Sequence, residues 1–155
     1  MKLRDRCRGF SLVELMVTVS VIAVLLILVT PSFSNSVSTS RERSVVQKFA
    51  QDFDWSRSAA TTRSVSLTLN ANCSWSATVD GVVDSSHSMT AATLSGLAAG
   101  IACAGGTVAL PATFAFTSQG FATPNGTLSF TGARGQQWPL QVLYSGSMVR
   151  VKGAS

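Results

Sequence analysis

Glu14 sits where a charge is hardest to accommodate. From Leu12 to Val29 the polar residues are Glu14, Thr18 and Ser20, and small hydroxyls can bond back to their own helix. An acid at membrane depth is expensive, so it reads as a functional group awaiting a partner. If the chain is cut between Gly9 and Phe10, the new amino terminus lies four residues before Glu14. Another copy's terminus would then supply the positive charge, and both groups gain from pairing where water is scarce.

Other reactive side chains are few. Cys7 would leave with a cleaved leader, so the remaining chain holds Cys73 and Cys103. Two cysteines in an oxidising compartment predict a disulfide, closing a loop of about 30 residues and adding roughly 2–4 kcal/mol. His87 is the single histidine and the thiols are far apart, which does not fit a metal site. It reads as a solvated loop residue among serines. Asp80 and Asp84 are the acids beyond the helix, and no catalytic triad or acid pair can be assembled from that spacing. Gly105-Gly106 lacks the lysine–serine of a phosphate-binding loop. The expectation is a chain with no catalytic residues, no metal and no cofactor.

The elements that must position Glu14 follow from hydropathy. The run from Phe10 to Val29 is about 20 residues, enough for a bilayer core about 30 Å thick. Lys2, Arg4, Arg6 and Arg8 precede it with Asp5 as the opposing charge, so the amino end should stay cytoplasmic and the rest should lie in the periplasm. A secretory signal peptide fits poorly: its apolar region is roughly 7–15 residues and ends in a small-residue cleavage site, whereas this one ends Val29-Thr30-Pro31-Ser32. The full chain has 12 basic and seven acidic residues, a net charge of +5. Removing residues 1–9 takes four basic and one acidic residue, leaving eight against six, or +2. The basic balance is therefore largely a topology signal.

Pro31 should kink the helix, and the serine-rich stretch 32–40 is a poor isolated helix. Val45, Val46, Phe49, Ala50, Phe53 and Ala60 then recur at helical spacing, with Arg41, Glu42, Arg43, Lys48, Asp52 and Arg57 read as the polar side. One long helix to about Thr62 is expected. Val65, Leu67 and Leu69 alternate with polar residues, Asn70-Ala71-Asn72 reads as a turn, and 73–79 as the return strand before an Asp80-Gly81 turn. Further strands are expected near 112–117, 127–131, 140–144 and 148–152, with 84–110 mainly loop. The fold class is α+β: a long amino-terminal transmembrane and amphipathic helix packed on a small antiparallel β-rich domain. The divisions are a leader (1–9), a transmembrane half-helix (10–30), a periplasmic half-helix (31–63) and a β-rich domain (64–155).

Gly9-Phe10-Ser11-Leu12-Val13-Glu14 resembles the type III signal of type IV pilins and of the pseudopilins of type II secretion. The resemblance implies cleavage after Gly9 by prepilin peptidase, N-methylation of Phe10, and assembly through Glu14 with neighbouring pilins or pseudopilins. It also implies residence in the bacterial inner membrane and then in a pilus or pseudopilus. Arg57-Ser58-Ala59-Ala60 with Arg63, and the closing Gly146-Ser147-Met148-Val149-Arg150-Val151-Lys152, are similar to the GspH/FimT-type minor pilins. That implies a FimT-like minor pilin supporting pilus biogenesis, or alternatively a GspH-type pseudopilin or a DNA-binding minor pilin for DNA uptake. Arg134, Arg150 and Lys152 are the basic residues after Arg63; brought together they would be candidate DNA contacts with salt-sensitive binding. Trp138 or Tyr144 could stack on bases, against the reading of Trp138 as core. In the DNA-uptake motif glycine–arginine–x–arginine, placing Arg150 last puts Ser147 and Met148 where glycine and arginine would stand. Replacing Gly9 with a bulky charged residue should leave the leader attached, which mass spectrometry of the amino terminus would report.

Overall fold

The computed structural model describes residues 11–151 and, within the first helix, the side chains of all but residues 27–33. Gly9, Phe10 and Lys152 lie outside these residues. The chain divides into two units, one ending at Val37 and the other beginning at Ser38. Helix α1 is Leu12–Ala59, so the serine-rich stretch stays helical despite its weak propensity. The kink expected at Pro31 falls among residues whose side chains are not described. Among the described residues no helix is long and apolar enough to cross a membrane. The described apolar side chains run from Leu12 to Leu26, whereas the apolar segment of the sequence continues to Val29.

In the second unit α1 supplies Val45, Val46, Phe49 and Phe53 to the core, the face that the spacing predicts. Glu42 and Asp52, read as polar-side residues, are instead buried at 3% and 1% exposure. The reason is helical geometry: positions 42, 45, 49, 52, 53 and 56 share one stripe, so this stripe carries acids as well as aromatics. Each acid accepts one hydrogen bond from a strand or turn. Asp52 Oδ2 accepts the Trp75 indole N–H at 2.8 Å, and its Oδ1 pairs with the Lys48 ammonium. Glu42 Oε1 accepts the Ala133 N–H at 3.1 Å. Its other oxygen fills the space that a side chain on Gly132 would need. The helix ends at Ala59, earlier than Thr62, and closes with Thr62 and Arg63 N–H groups on the Ala59 carbonyl.

The remaining elements are β1 (Val65–Leu69), β2 (Trp75–Val79), β3 (Val82–Met89), α2 (Ala91–Leu97), β4 (Ala102–Gly105), β5 (Ala112–Phe116), β6 (Ala122–Thr123), β7 (Gly126–Thr131), β8 (Gln137–Val142) and β9 (Met148–Arg150). They form two antiparallel sheets, ordered β3-β2-β1-β5-β6 and β4-β7-β8-β9. The β1–β2 hairpin pairs Leu69 with Trp75, as the Asn70–Asn72 turn predicts. Asp80 and Gly81 both have positive φ, 51° and 84°, the two-residue turn that Asp-Gly favours between twisted strands.

Residues 84–110 are not mainly loop. Three elements form there, two of them held by strands that lie elsewhere in the chain and one by a local cap. β3 pairs with β2. Thr90 caps α2 by accepting the Thr93 N–H, and β4 pairs with β7. A segment of Ser, Ala, Gly and Thr carries no hydrophobic period to announce them. β8 also begins before Pro139 rather than at Leu140. Pro139 accepts the Val151 N–H, one residue past β9, so its missing N–H faces that edge and not β7.

Phe49 meets Trp75 of the first sheet and Phe130 of the second, both with ring centroids at 5.3 Å. Phe53 packs edge-on against Phe114 and Phe116. Trp138 belongs to this core at 7% exposure, so it is packed and not available to stack on a base. The helix thus completes the cores of two sheets that share no strand pairing. Cys73, at the β1–β2 turn, is bonded to Cys103 on β4 across a separation of 30 residues, which joins the sheets covalently. Replacing both cysteines with alanine should lower unfolding stability by roughly 3 kcal/mol, as checked by denaturant titration. Without reductant neither thiol should react with an alkylating agent.

Candidate assembly surface

From Leu12 to Leu26, α1 exposes its apolar side chains on every side. Leu12 is 74% exposed and Leu26 63%, with Val13, Leu15, Met16, Val17, Val19, Val21, Ile22, Val24 and Leu25 also open. A continuous apolar surface of this kind marks an interaction site. Thr18 and Ser20 donate to the Leu15 and Met16 carbonyls at 2.8 and 2.7 Å, so neither hydroxyl asks for an outside partner. Glu14 is the one charged residue between Leu12 and Leu26. It occupies the first turn of the helix, where a carboxylate is favoured by the macrodipole.

The far end of α1 carries a second constellation. Arg57 Nε donates to the Gly120 carbonyl at 3.2 Å and Nη1 to Ser147 Oγ at 3.5 Å. These groups lie in the β5–β6 and β8–β9 turns, one from each sheet. The turns also touch directly, because the Ala122 N–H donates to the Tyr144 carbonyl at 3.2 Å. Gly146 has φ of 75°, and a side chain there would collide with the Gly120 carbonyl. The helix end around Arg57 and the closing glycine turn therefore meet in space. Asp54, beside them, is pushed above the usual carboxylate range by burial, with Arg57 pulling the other way.

Arg134 and Arg150 are both exposed. Arg134 lies in the β7–β8 turn and donates to Ser38 Oγ on α1 at 3.0 Å. Arg150 lies on the edge strand β9, opposite Leu140. Neither contact brings the two guanidinium groups together. Tyr144 is open at 62% and stacks on Phe121 with centroids 5.0 Å apart.

His87 is not a solvated loop residue. It lies on β3 and its ring stacks on Trp55 of α1, with centroids 3.5 Å apart and planes within 4°. Its Nδ1 bonds Asp84 Oδ2 at 3.1 Å. The His87 bond, followed by the Ser86 N–H, holds the Asp84 carboxyl below its ordinary value of 3.8. Serine neighbours on both sides concealed this contact, since only the chain path of β3 brings Trp55 near. No metal-binding cluster occurs among the described residues.

Two family models match this chain. The prokaryotic N-terminal methylation motif matches residues 4–30, a span that contains Gly9, Phe10 and Glu14. The model for type II transport protein GspH matches residues 45–147, from the core face of α1 through the turn that Arg57 holds. The chain belongs to the GspH family. Members of these two families are pilin-like or pseudopilin-like subunits, which accords with the α+β architecture and the exposed apolar helix. The GspH match includes Arg134 and stops before Arg150. No curated protein matches the chain, and no solved structure does.

The Arg57 contacts predict that Arg57→Ala lowers unfolding stability by about 1–3 kcal/mol. Lysine should restore less than half of that, because an ammonium cannot span both turns as the guanidinium fork does; thermal denaturation of the two variants checks it. A folded-state pKa held below the unfolded value gives a contribution that is complete at neutral pH and lost as pH falls through the folded value. The Asp84 carboxyl should therefore titrate below 3.8 by NMR, and His87→Ala should move it upward.

Proposed function

We propose that this chain is a FimT-like minor pilin. It is stored in the bacterial inner membrane with its amino end cytoplasmic and its β-rich domain periplasmic, and is then drawn into a type IV pilus. The observation that carries this reading is the single carboxylate of Glu14 within the helical stretch Leu12 to Leu26, whose apolar side chains are exposed, inside the methylation-motif match. In this reading prepilin peptidase cuts between Gly9 and Phe10 and Phe10 becomes the methylated terminus. Packing among neighbouring helices supplies adhesion through apolar burial. Pairing of Glu14 with the terminus of an adjacent subunit sets the register. The β-rich domain packs on the second half of the helix through Val45, Val46, Phe49 and Phe53.

A second reading is a minor pseudopilin of type II secretion, favoured by the description of the family that matches residues 45–147. Deleting the gene and scoring piliation, secretion and DNA uptake separately distinguishes the two. Loss of pili with secretion intact supports the pilus, and a secretion defect with normal pili overturns it. The DNA-uptake score bears on contact through Arg134, Arg150 and Lys152. Glu14→Ala should leave the leader cleaved but reduce incorporation into filaments on the order of tenfold, the effect of about 1.4 kcal/mol. Immunoblots of sheared filaments against whole cells measure it.

A further inference from the structure

We propose that the cleft between α1, the end of β3 and α2 is a docking site for an acidic amphipathic helix of a different protein subunit, one that presents an apolar side chain between two carboxylates. The cleft has a volume of about 380 Å3. Val45 and Met89 form its apolar floor, Leu97 stands on the α2 side, and Arg41, Ser44 and Lys48 stand along the α1 wall. That volume is at the small end for a binding site and suits a leucine- or phenylalanine-sized group. Leu97, the last residue of α2, is 47% exposed, so its side chain is a wall of an open cleft and not part of the core.

The rim has one sign of charge. No acid lines it. Arg41 is exposed, and among the described residues it forms no ion pair. Lys48 is fixed by Asp52 and by the Ser86 carbonyl at 3.1 Å, which uses two of three ammonium donors and leaves the third to offer. Arg41 and Lys48 are seven residues apart on one helix face, about 10 Å along the axis at 1.5 Å per residue. A partner helix lying along α1 with carboxylates two turns apart would meet both cations and set an apolar side chain on the floor between them, the helix-in-groove mode. The exposed acids on α1 itself are Glu14 and Asp54, forty residues apart, so a second copy of this helix does not supply the pair. The partner is therefore a different chain. The inference goes beyond filament incorporation and does not depend on it.

The test uses the full chain in phosphatidylcholine nanodiscs and fluorescent helical peptides carrying a central leucine. The flanking pair, seven residues apart, is glutamate in one peptide and lysine in the other, and empty nanodiscs serve as the control. By anisotropy at low salt the glutamate peptide should bind at least about tenfold more tightly than the lysine peptide. Arg41→Glu should remove or reverse that preference while leaving the circular dichroism spectrum unchanged, and Leu97→Ala should weaken both peptides. Three results would overturn the proposal: equal binding of the two peptides, a preference that survives Arg41→Glu, or displacement of the glutamate peptide when phosphatidylglycerol is added to the nanodisc. The last would assign the cleft to an anionic lipid.

Discussion

The architecture of the second unit depends on one helix face serving two sheets at once. The sheets β3-β2-β1-β5-β6 and β4-β7-β8-β9 share no strand pairing, so their association rests on what lies between them. Phe49 touches Trp75 on one side and Phe130 on the other. Burying aromatic surface of this size is worth several kcal/mol for each ring, and truncating a core phenylalanine costs about 3–5 kcal/mol. The disulfide between Cys73 and Cys103 adds a covalent link at a second point, and Arg57 adds a polar one where a turn from each sheet converges.

The same helix is used in two opposite ways along its length. From Val45 onward its apolar side chains are buried within the chain, whereas from Leu12 to Leu26 they are all exposed. The difference lies in the sequence of each half. The second half alternates apolar and polar positions at helical spacing and so has one face to bury. The first half is apolar all round and can be covered fully only by something that surrounds it, a bilayer or other helices. Its polar exceptions divide cleanly: the hydroxyls of Thr18 and Ser20 bond to their own helix, and Glu14 carries a charge that the helix interior cannot meet.

Much of this was legible in the residues. The apolar segment, the core face of the helix, the β1–β2 hairpin, the Asp80-Gly81 turn and the cysteine pair each rest on local patterns or composition. The elements within 84–110 were not legible, because β3, α2 and β4 are stabilised by β2, by a single threonine cap and by β7 rather than by their own hydropathy. The buried acids Glu42 and Asp52 were misread for a related reason. A charged residue on a helix is assigned to the polar side until the Trp75 indole or the Ala133 amide that bonds to it is located. His87 was hidden in the same way by its distance in sequence from Trp55. The two stretches that carry the likeness to GspH-type subunits, the Arg57 helix end and the Gly146 turn, had no evident relation in the sequence; folding joins them through Arg57 and Ser147.

The claim that one helix face holds both sheets together is tested most directly by hydrogen exchange on the full chain in detergent micelles, comparing the native protein with Phe49→Leu. If the account is right, amides of α1 from Val45 to Phe53, of β1 and β2, and of β7 and β8 open with one shared free energy in the native protein. The substitution then lowers that value equally in both sheets. Loss of protection in β1 and β2 alone, with β7 and β8 unchanged, would contradict it and show that the second sheet does not depend on the helix.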